Sequence, residues 1–498
     1  MVYSVLGEPV IPVLLPDGTN TSLGIREVFL RAHEIRDIQG ETPLERYALL
    51  RLLLAFAMDM LHPETGYDRQ DLLEAGKFDE TAFENYITLC EKDGPRFDLF
   101  DPEHPFMQSK YDKTLDMKAI KPVAAIIHSL PSGNNHVFLD HRAENAHAVS
   151  FSKAFQAMIA SYLFCVSGTA GPSSVNNTPP LYAIILGSNL FETMVVNMLS
   201  ESEIRPLPYG AGSVPWRKGR TVRPKEQVAD ISFLEGLTWM PRRITLKAED
   251  DGTVRQVCCQ AGLDFKGNDL WNDPHVPGFR KKDETYGTVK PELGRAFWRD
   301  AGVLMYDRDG KKVRQPQAMR CITNIVDLEN LPAWIPVRGT GLITKQAAYM
   351  GWMEETFSLP SQMLHNQEQA ECFREDALFI ESMQNQIAAN VQRYVDRPRN
   401  GSVSKEHEIA FQCQQFFLQG AHDLLFGTVM EEICSGIPEK EHLDHFCEAI
   451  RKLLQETFNQ VLRASGTDTA SMMRQMEAEK WIWSTFKKMK EERMKYYA

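Results

Sequence analysis

Three short stretches and two further histidines hold the side chains that could do chemistry. Asp101-Pro102-Glu103-His104-Pro105 and Asp273-Pro274-His275 each set a carboxylate close to an imidazole, the pairing that general acid–base catalysis needs. Proline holds the backbone in both, so they read as turns whose side chains cap neighbouring elements. Cys258-Cys259 could supply half of a zinc clamp, but such a clamp normally pairs two separated cysteine elements, and no second pair exists. His141, His147 and His275 become metal ligands only by converging in three dimensions. GxSxG, HExxH, P-loop and a suitably placed GxGxxG are all missing from the sequence. A metal-assisted hydrolase built on the Asp/His turns is therefore an alternative with little to stand on.

The cations point elsewhere. Pro215-Trp216-Arg217-Lys218-Gly219-Arg220-Thr221-Val222-Arg223-Pro224-Lys225 carries five cations, one Trp and no acid. A basic loop with an aromatic ring suits phosphate contact and base stacking. Arg280-Lys281-Lys282 and Lys487, Lys488 and Lys490 are smaller clusters. Two glycine-containing segments allow close backbone approach to a ligand, since Gly lacks the Cβ that would hold it off. One is Val166–Ser174, with Gly168, Thr169, Ala170 and Gly171. The other is Arg338–Gln346, read as a glycine-rich turn ahead of Lys345 and Gln346.

These segments sit on a chain of 498 residues with 55 Lys+Arg, 67 Asp+Glu and a formal charge of −12. That balance disfavours a protein that coats nucleic acid over its whole surface, and leaves room for local basic contacts. The length predicts roughly two or three domains. Hydrophobic and charged fractions of 43% and 24% are those of an ordinary globular protein. The start, Met1-Val-Tyr-Ser, lacks a secretory signal. No run of apolar residues is long enough to span a bilayer. Nine scattered cysteines suit reduced thiols, so a cytoplasmic protein with no membrane partner is expected.

The elements that must position these residues fall into two textures. Val10–Leu15 reads as a strand closed by Pro16–Thr19. Thr42-Pro43-Leu44-Glu45 is a helix start ahead of Leu49, Leu52, Leu53, Phe56 and Met60. Short apolar runs, Leu181–Leu186 and Arg243–Lys247, then alternate with long connections at 166–180 and 205–226. Beyond about 365 the pattern becomes helical. Phe373, Ala377, Ile380, Ile387, Val391 and Tyr394 form one apolar stripe. A second helix runs from about Lys405 to Cys434. Leu443, Phe446, Ile450, Leu453, Thr457 and Val461 mark a third. Met472, Met476, Trp483 and Phe486 mark a fourth, read with the other methionines as core filler. The expected fold is α+β: a large mixed α/β domain over 1–360, followed by an antiparallel four-helix bundle over 361–498.

In order along the chain, six motifs resemble one family, the large subunit of the type I-E CRISPR Cascade complex (the CasA family). They are Glu8–Val13, His104–Gln108, Ser132–His141, Gly236–Arg242, Leu270–His275 and Gly341–Ala347. The resemblance implies a non-catalytic subunit that holds the 5′ handle of the guide RNA and reads the protospacer-adjacent motif in double-stranded DNA. It would then start strand separation and help recruit the helicase-nuclease effector. Carried over residue by residue, it assigns a minor-groove glycine loop to Gly168, Thr169, Ala170 and Gly171. It assigns a lysine finger to Lys266, with Lys281 as the alternative because the spacing to Trp271 is short for the family. Gln346, beside Lys345, takes the place of a glutamine wedge. Phe138, Leu139, Asp140 and His141 match the loop that docks on the guide handle. Arg217, Lys218, Arg220 and Arg223 join the DNA-binding set from their charge. Family members with zinc use two separated Cys pairs, so no metal and no cofactor are expected here.

Minor-groove edges carry a degenerate code, so a backbone loop and one Lys give only loose discrimination. The preferred adjacent motif is therefore not written in side chains. A protein-only helical scaffold, with the bundle as its interaction module, is the remaining alternative.

Overall fold

The computed structural model describes residues 2–130, 148–166, 175–176, 178–205, 210–265, 271–282, 286–293, 295–305, 313–326, 331–345, 348–396 and 408–495. Two compact units emerge: Met1–Arg295 with Lys312–Phe357, and Ala296–Lys311 with Ser358–Ala498. The short segment Ala296–Lys311 thus joins the C-terminal helices, an excursion that nothing in the local sequence announces.

The first unit is built around the helix Pro43–Leu61. Thr42 caps it by accepting the Glu45 amide at 3.2 Å, and Pro43 occupies the first helical position. The Glu45 carboxylate reaches back to the Glu41 amide at 3.0 Å, one residue beyond the N-cap amide of the usual reciprocal cap. Residues 47–58 are all buried, as a helix apolar on every face must be. It packs on the helices Phe151–Leu163 and Leu190–Asn197 and on the strand Trp334–Lys345. One end carries an aromatic cluster in which Phe56 lies 5.7 Å from Phe83 and 5.7 Å from Trp216.

Sheets surround that helix. Ile11–Leu14, within the run read as a strand at Val10–Leu15, pairs antiparallel with Asn20–Leu23 beyond the turn. Arg242–Ala248 and Thr253–Ala261 form a second antiparallel pair, bulged at Lys247/Ala248. A third sheet orders Ala348–Pro360, Trp334–Lys345 and Tyr182–Ile185. Gly339 and Gly341, expected in a turn, instead lie inside the strand Trp334–Lys345, with Gly339 opposite Ala183. A Cβ on Gly341 would come within 2.7 Å of the Pro291 ring, so close packing explains that glycine.

The second unit contains the four-helix bundle. Its helices are Gln367–Tyr394, Glu408–Ser435 with a π-helical segment at Leu425–Val429, Glu439–Leu462 with a π-helical segment at Phe458–Leu462, and Thr469–Met494. Side-chain pairs set the directions. Asp376 meets Arg493 and Gln386 meets Thr485, so the first and fourth helices run antiparallel. Asp396 accepts the Ala410 amide, and Phe373 lies against Phe426, so the first and second do too. The first and third lie diagonally and parallel, with Phe379 against Phe446. Phe373, Ala377, Ile380, Ile387 and Val391 are buried as read. The fourth helix departs from expectation: it buries Ala478, Ile482 and Phe486, leaving Met472 and Met476 at 52% and 68% exposure. Those two methionines are surface, not core filler.

A polar network crosses the bundle. Asp376, fully buried, accepts from Arg493 Nη1 at 2.6 Å and from His442 Nε2 at 2.8 Å. His442 Nδ1 donates to Glu432 at 3.1 Å, and His445 faces the other oxygen of Glu432. Both His442 nitrogens meet carboxylates, so both must carry protons. Burial pushes this imidazole down, but Asp376 and then Glu432 outweigh it and raise its pKa above the ordinary value. A raised folded pKa stabilises fully below the unfolded value of about 6.5 and is lost as pH rises through the folded value. His442→Gln should therefore flatten the fall in Tm as pH rises above about 6.5. Identical pH profiles for the two proteins would contradict this reading.

Candidate nucleic-acid interface

The Asp273–His275 turn proves to be structural. Asp273 lies fully buried against Arg51, with contacts of 3.0 Å (Oδ1) and 2.8 Å (Oδ2) to the guanidinium. Arg51 also donates to the carbonyls of Leu237 at 3.0 Å and Gly236 at 3.2 Å. Asp273 Oδ1 accepts the His275 amide at 3.1 Å, and Oδ2 accepts Asn176 Nδ2 at 2.9 Å. Burial pushes the Asp273 carboxyl up, but Arg51 outweighs that and holds it below the usual carboxylate range. His275 is buried, which pushes its pKa down to about 4. Its Nε2 faces the Asn197 carbonyl at 3.1 Å, so Nε2 carries the proton and Nδ1 accepts from the Tyr47 hydroxyl at 3.0 Å. Every polar atom of this node is committed to holding elements together. Asp101 behaves as expected, accepting the amides of Glu103 and His104 at 2.9 and 2.6 Å.

Sequence reasoning missed Arg51 and Arg243. The signal was there for Arg51, a lone charge in the apolar run Leu49-Leu50-Arg51-Leu52-Leu53. Such a residue needs a buried partner, though its partner lies 222 residues away. Arg243, also buried, grips Asp116 at 2.9 and 2.8 Å and donates to the Val222 carbonyl at 2.6 Å.

That last bond ties down the basic segment. The segment is not a free loop: Pro215–Lys218 forms a helical turn, and Trp216 is buried, donating to the Tyr86 hydroxyl at 2.8 Å. The ring expected to stack on bases is core. Arg217 faces the buried Asp59 at 3.6 Å, and Arg220 pairs with Glu235 at 3.1 Å and Glu226 at 3.5 Å. Lys218, Arg223 and Lys225 are exposed, with no side-chain carboxylate partner among the described residues. Lys487, Lys488 and Lys490 face Glu491, Glu492 and Asp444, a solvated helix face.

Lys345 ends the strand Trp334–Lys345 and is exposed; Ala348 opens the next strand. Gln346 falls between them and lies outside the described residues. So do Lys266, the segment Gly168, Thr169, Ala170 and Gly171, and the docking residues Phe138, Leu139, Asp140 and His141. The chain on either side of the glycine segment is anchored: the Val166 carbonyl accepts Arg242 Nη2 at 2.9 Å, and Asn176 is held by Asp273. Lys281, the alternative finger, is exposed.

Two sets of donor atoms bear on metal binding. Cys258 and Cys259 are successive residues of one strand and so point to opposite faces; burial pushes both thiols up. Among the described residues, Cys372, Asp376 and His442 place one donor atom each within 4.8 Å of one another. The Arg493 guanidinium and His442 already take both Asp376 oxygens, so a cation there would have to displace Arg493. No described helix is long and apolar enough to cross a membrane.

The two-unit architecture, with mixed sheets followed by a bundle, is a fold shared with solved CRISPR-associated proteins. It belongs to the Cse1 family: the model for CRISPR-associated protein Cse1 matches residues 5–482. The CasA/Cse1 protein of Thermus thermophilus is 26% identical over 481 residues, 93% of each chain. The crystal structure of Thermus thermophilus CasA superposes with a TM-score of 0.77 at 21% identity, covering 98% of this chain and 99% of that one. A chain of a CRISPR RNA-guided surveillance complex has the same fold, with a TM-score of 0.75 at 17% identity and coverage of 97% and 99%. The family resemblance read from the ordered motifs is thus met along nearly the whole chain.

Proposed function

We propose that this chain is the large subunit of a Cascade-type, RNA-guided surveillance complex, reading the adjacent motif in duplex DNA and starting strand separation. The observation that carries this is the Cse1 family match over residues 5–482. In this reading Gly168–Gly171 and Lys266 face the minor groove, and Gln346 wedges below the motif beside Lys345. Phe138–His141 dock on the guide's 5′ handle among the other subunits, and an outer surface receives the helicase-nuclease. Guide pairing captures the opened strand, so the protein supplies only a small initial melt. The hydrolase alternative loses support, because Asp273 and His275 are consumed by structural bonds.

The pairing of the basic segment divides its residues by role. Lys218, Arg223 and Lys225 are the phosphate contacts, while Arg217 and Arg220 hold the segment's shape through Asp59, Glu226 and Glu235. Lys218→Glu/Arg223→Glu/Lys225→Glu should weaken duplex binding by the guide-loaded complex. The slope of log K against log salt should become shallower by about 0.9 for each phosphate that is no longer neutralised. An unaltered slope removes this segment from the interface.

A further inference from the structure

Between residues 96–108 and 215–221 of the first unit lies a cleft whose Arg96 and His104 side chains have no role above. Arg96, Glu103, His104, Trp216, Gly219 and Arg220 line it. Its polar groups are unbalanced. Arg96 is only 7% exposed, and its Nε has no hydrogen-bond partner. Its one side-chain bond is from Nη1 to the Pro95 carbonyl at 3.2 Å, and no carboxylate pairs with it among the described residues. The His104 Nδ1 is likewise buried and unpartnered. Gly219, at φ +58°, lets the His104 ring pack directly against it, since a Cβ there would lie 2.8 Å from that nitrogen.

The other charges on the wall are already matched. Glu103 is held by Lys110 at 2.5 Å, and Arg220 by Glu235 and Glu226. What remains is one uncompensated guanidinium and two buried nitrogens that water or a ligand must satisfy. Lys218 stands exposed beside Gly219 in the chain. A tetrahedral oxyanion accepts in several directions at once and matches the guanidinium fork. A planar carboxylate offers fewer directions.

We propose that this cleft binds a phosphate group through Arg96 and His104, with Lys218 at the rim. The group is either a nucleic-acid backbone phosphate or free phosphate. Only the first source rests on the function proposed above.

Titration calorimetry of the purified full chain with inorganic phosphate, at constant ionic strength, tests the site without DNA. Saturable binding is expected. Arg96→Met should weaken it by about tenfold or more, the scale of a lost charge-assisted hydrogen bond. Lys218→Ala, a surface change that spares folding, should weaken it less. Circular dichroism confirms that each variant is folded. Duplex affinity of the guide-loaded complex then separates the sources. A drop with Arg96→Met assigns a backbone phosphate, whereas bound inorganic phosphate with unchanged duplex affinity assigns free phosphate. If phosphate does not bind and duplex affinity is also unchanged in folded Arg96→Met, the proposal is overturned and water alone fills the cleft. Phosphate binding indifferent to Arg96→Met overturns it as well.

Discussion

Asp273→Asn is expected to cost about 3–5 kcal/mol of unfolding free energy, the range for removing one partner of a fully buried ion pair. The loss is large because Arg51 would stay buried, with only a neutral acceptor and two carbonyls. The two carbonyls, of Gly236 and Leu237, cannot neutralise it. The double variant Arg51→Met/Asp273→Leu removes both charges and should recover much of the loss. Urea unfolding of the two variants beside the parent reads the difference. A cost below about 1 kcal/mol for Asp273→Asn would mean that the node is wetter or more adaptable than its burial implies. The variant should also loosen Asn176, which Asp273 holds at one border of the glycine segment. A stability defect and a DNA-binding defect are therefore expected together.

This node also explains why the family was legible in short motifs. Gly236–Arg242 and Leu270–His275 meet in space: Trp271 packs so close to Gly236 that a Cβ there would lie 2.1 Å from its ring. Arg51 bonds to both motifs. Each motif is short because each supplies one side of a long-range junction. The bundle was legible for another reason, since buried stripes at helical spacing need only local sequence. Its fourth helix shows the limit. Met472 and Met476 have the right spacing and chemistry for a core, yet the buried face is Gln475, Ala478, Ile482 and Phe486.

Two other misreadings share a cause. Trp216 among cations resembled a stacking ring, and Gly339 with Gly341 resembled a turn. Both are decided by partners distant in sequence, Tyr86 in one case and Ala183 with Pro291 in the other. Composition locates a segment's charge but not which charges are already neutralised. Of the five cations in 215–225, Arg217 faces Asp59, far away in sequence, and Arg220 pairs with Glu226 and Glu235 just beyond the segment.

The second large effect is expected at Gln346. Gln346 falls between Lys345 and the strand Ala348–Pro360, where a side chain inserted into the duplex would offset part of the unstacking cost of a few kcal/mol per step. If Gln346 supplies about 1.4 kcal/mol of that, Gln346→Ala lowers the opened fraction about tenfold. Duplex affinity should hardly change, because phosphate contacts supply it. Lys345→Ala should do the reverse, weakening binding and reducing the salt slope by about 0.9. The decisive measurement is fluorescence of a 2-aminopurine placed next to the adjacent motif, in guide-loaded complex assembled with the parent chain or with Gln346→Ala. The proposed function predicts opening with the parent and about tenfold less with the variant at equal duplex occupancy. Equal opening at equal occupancy would contradict it.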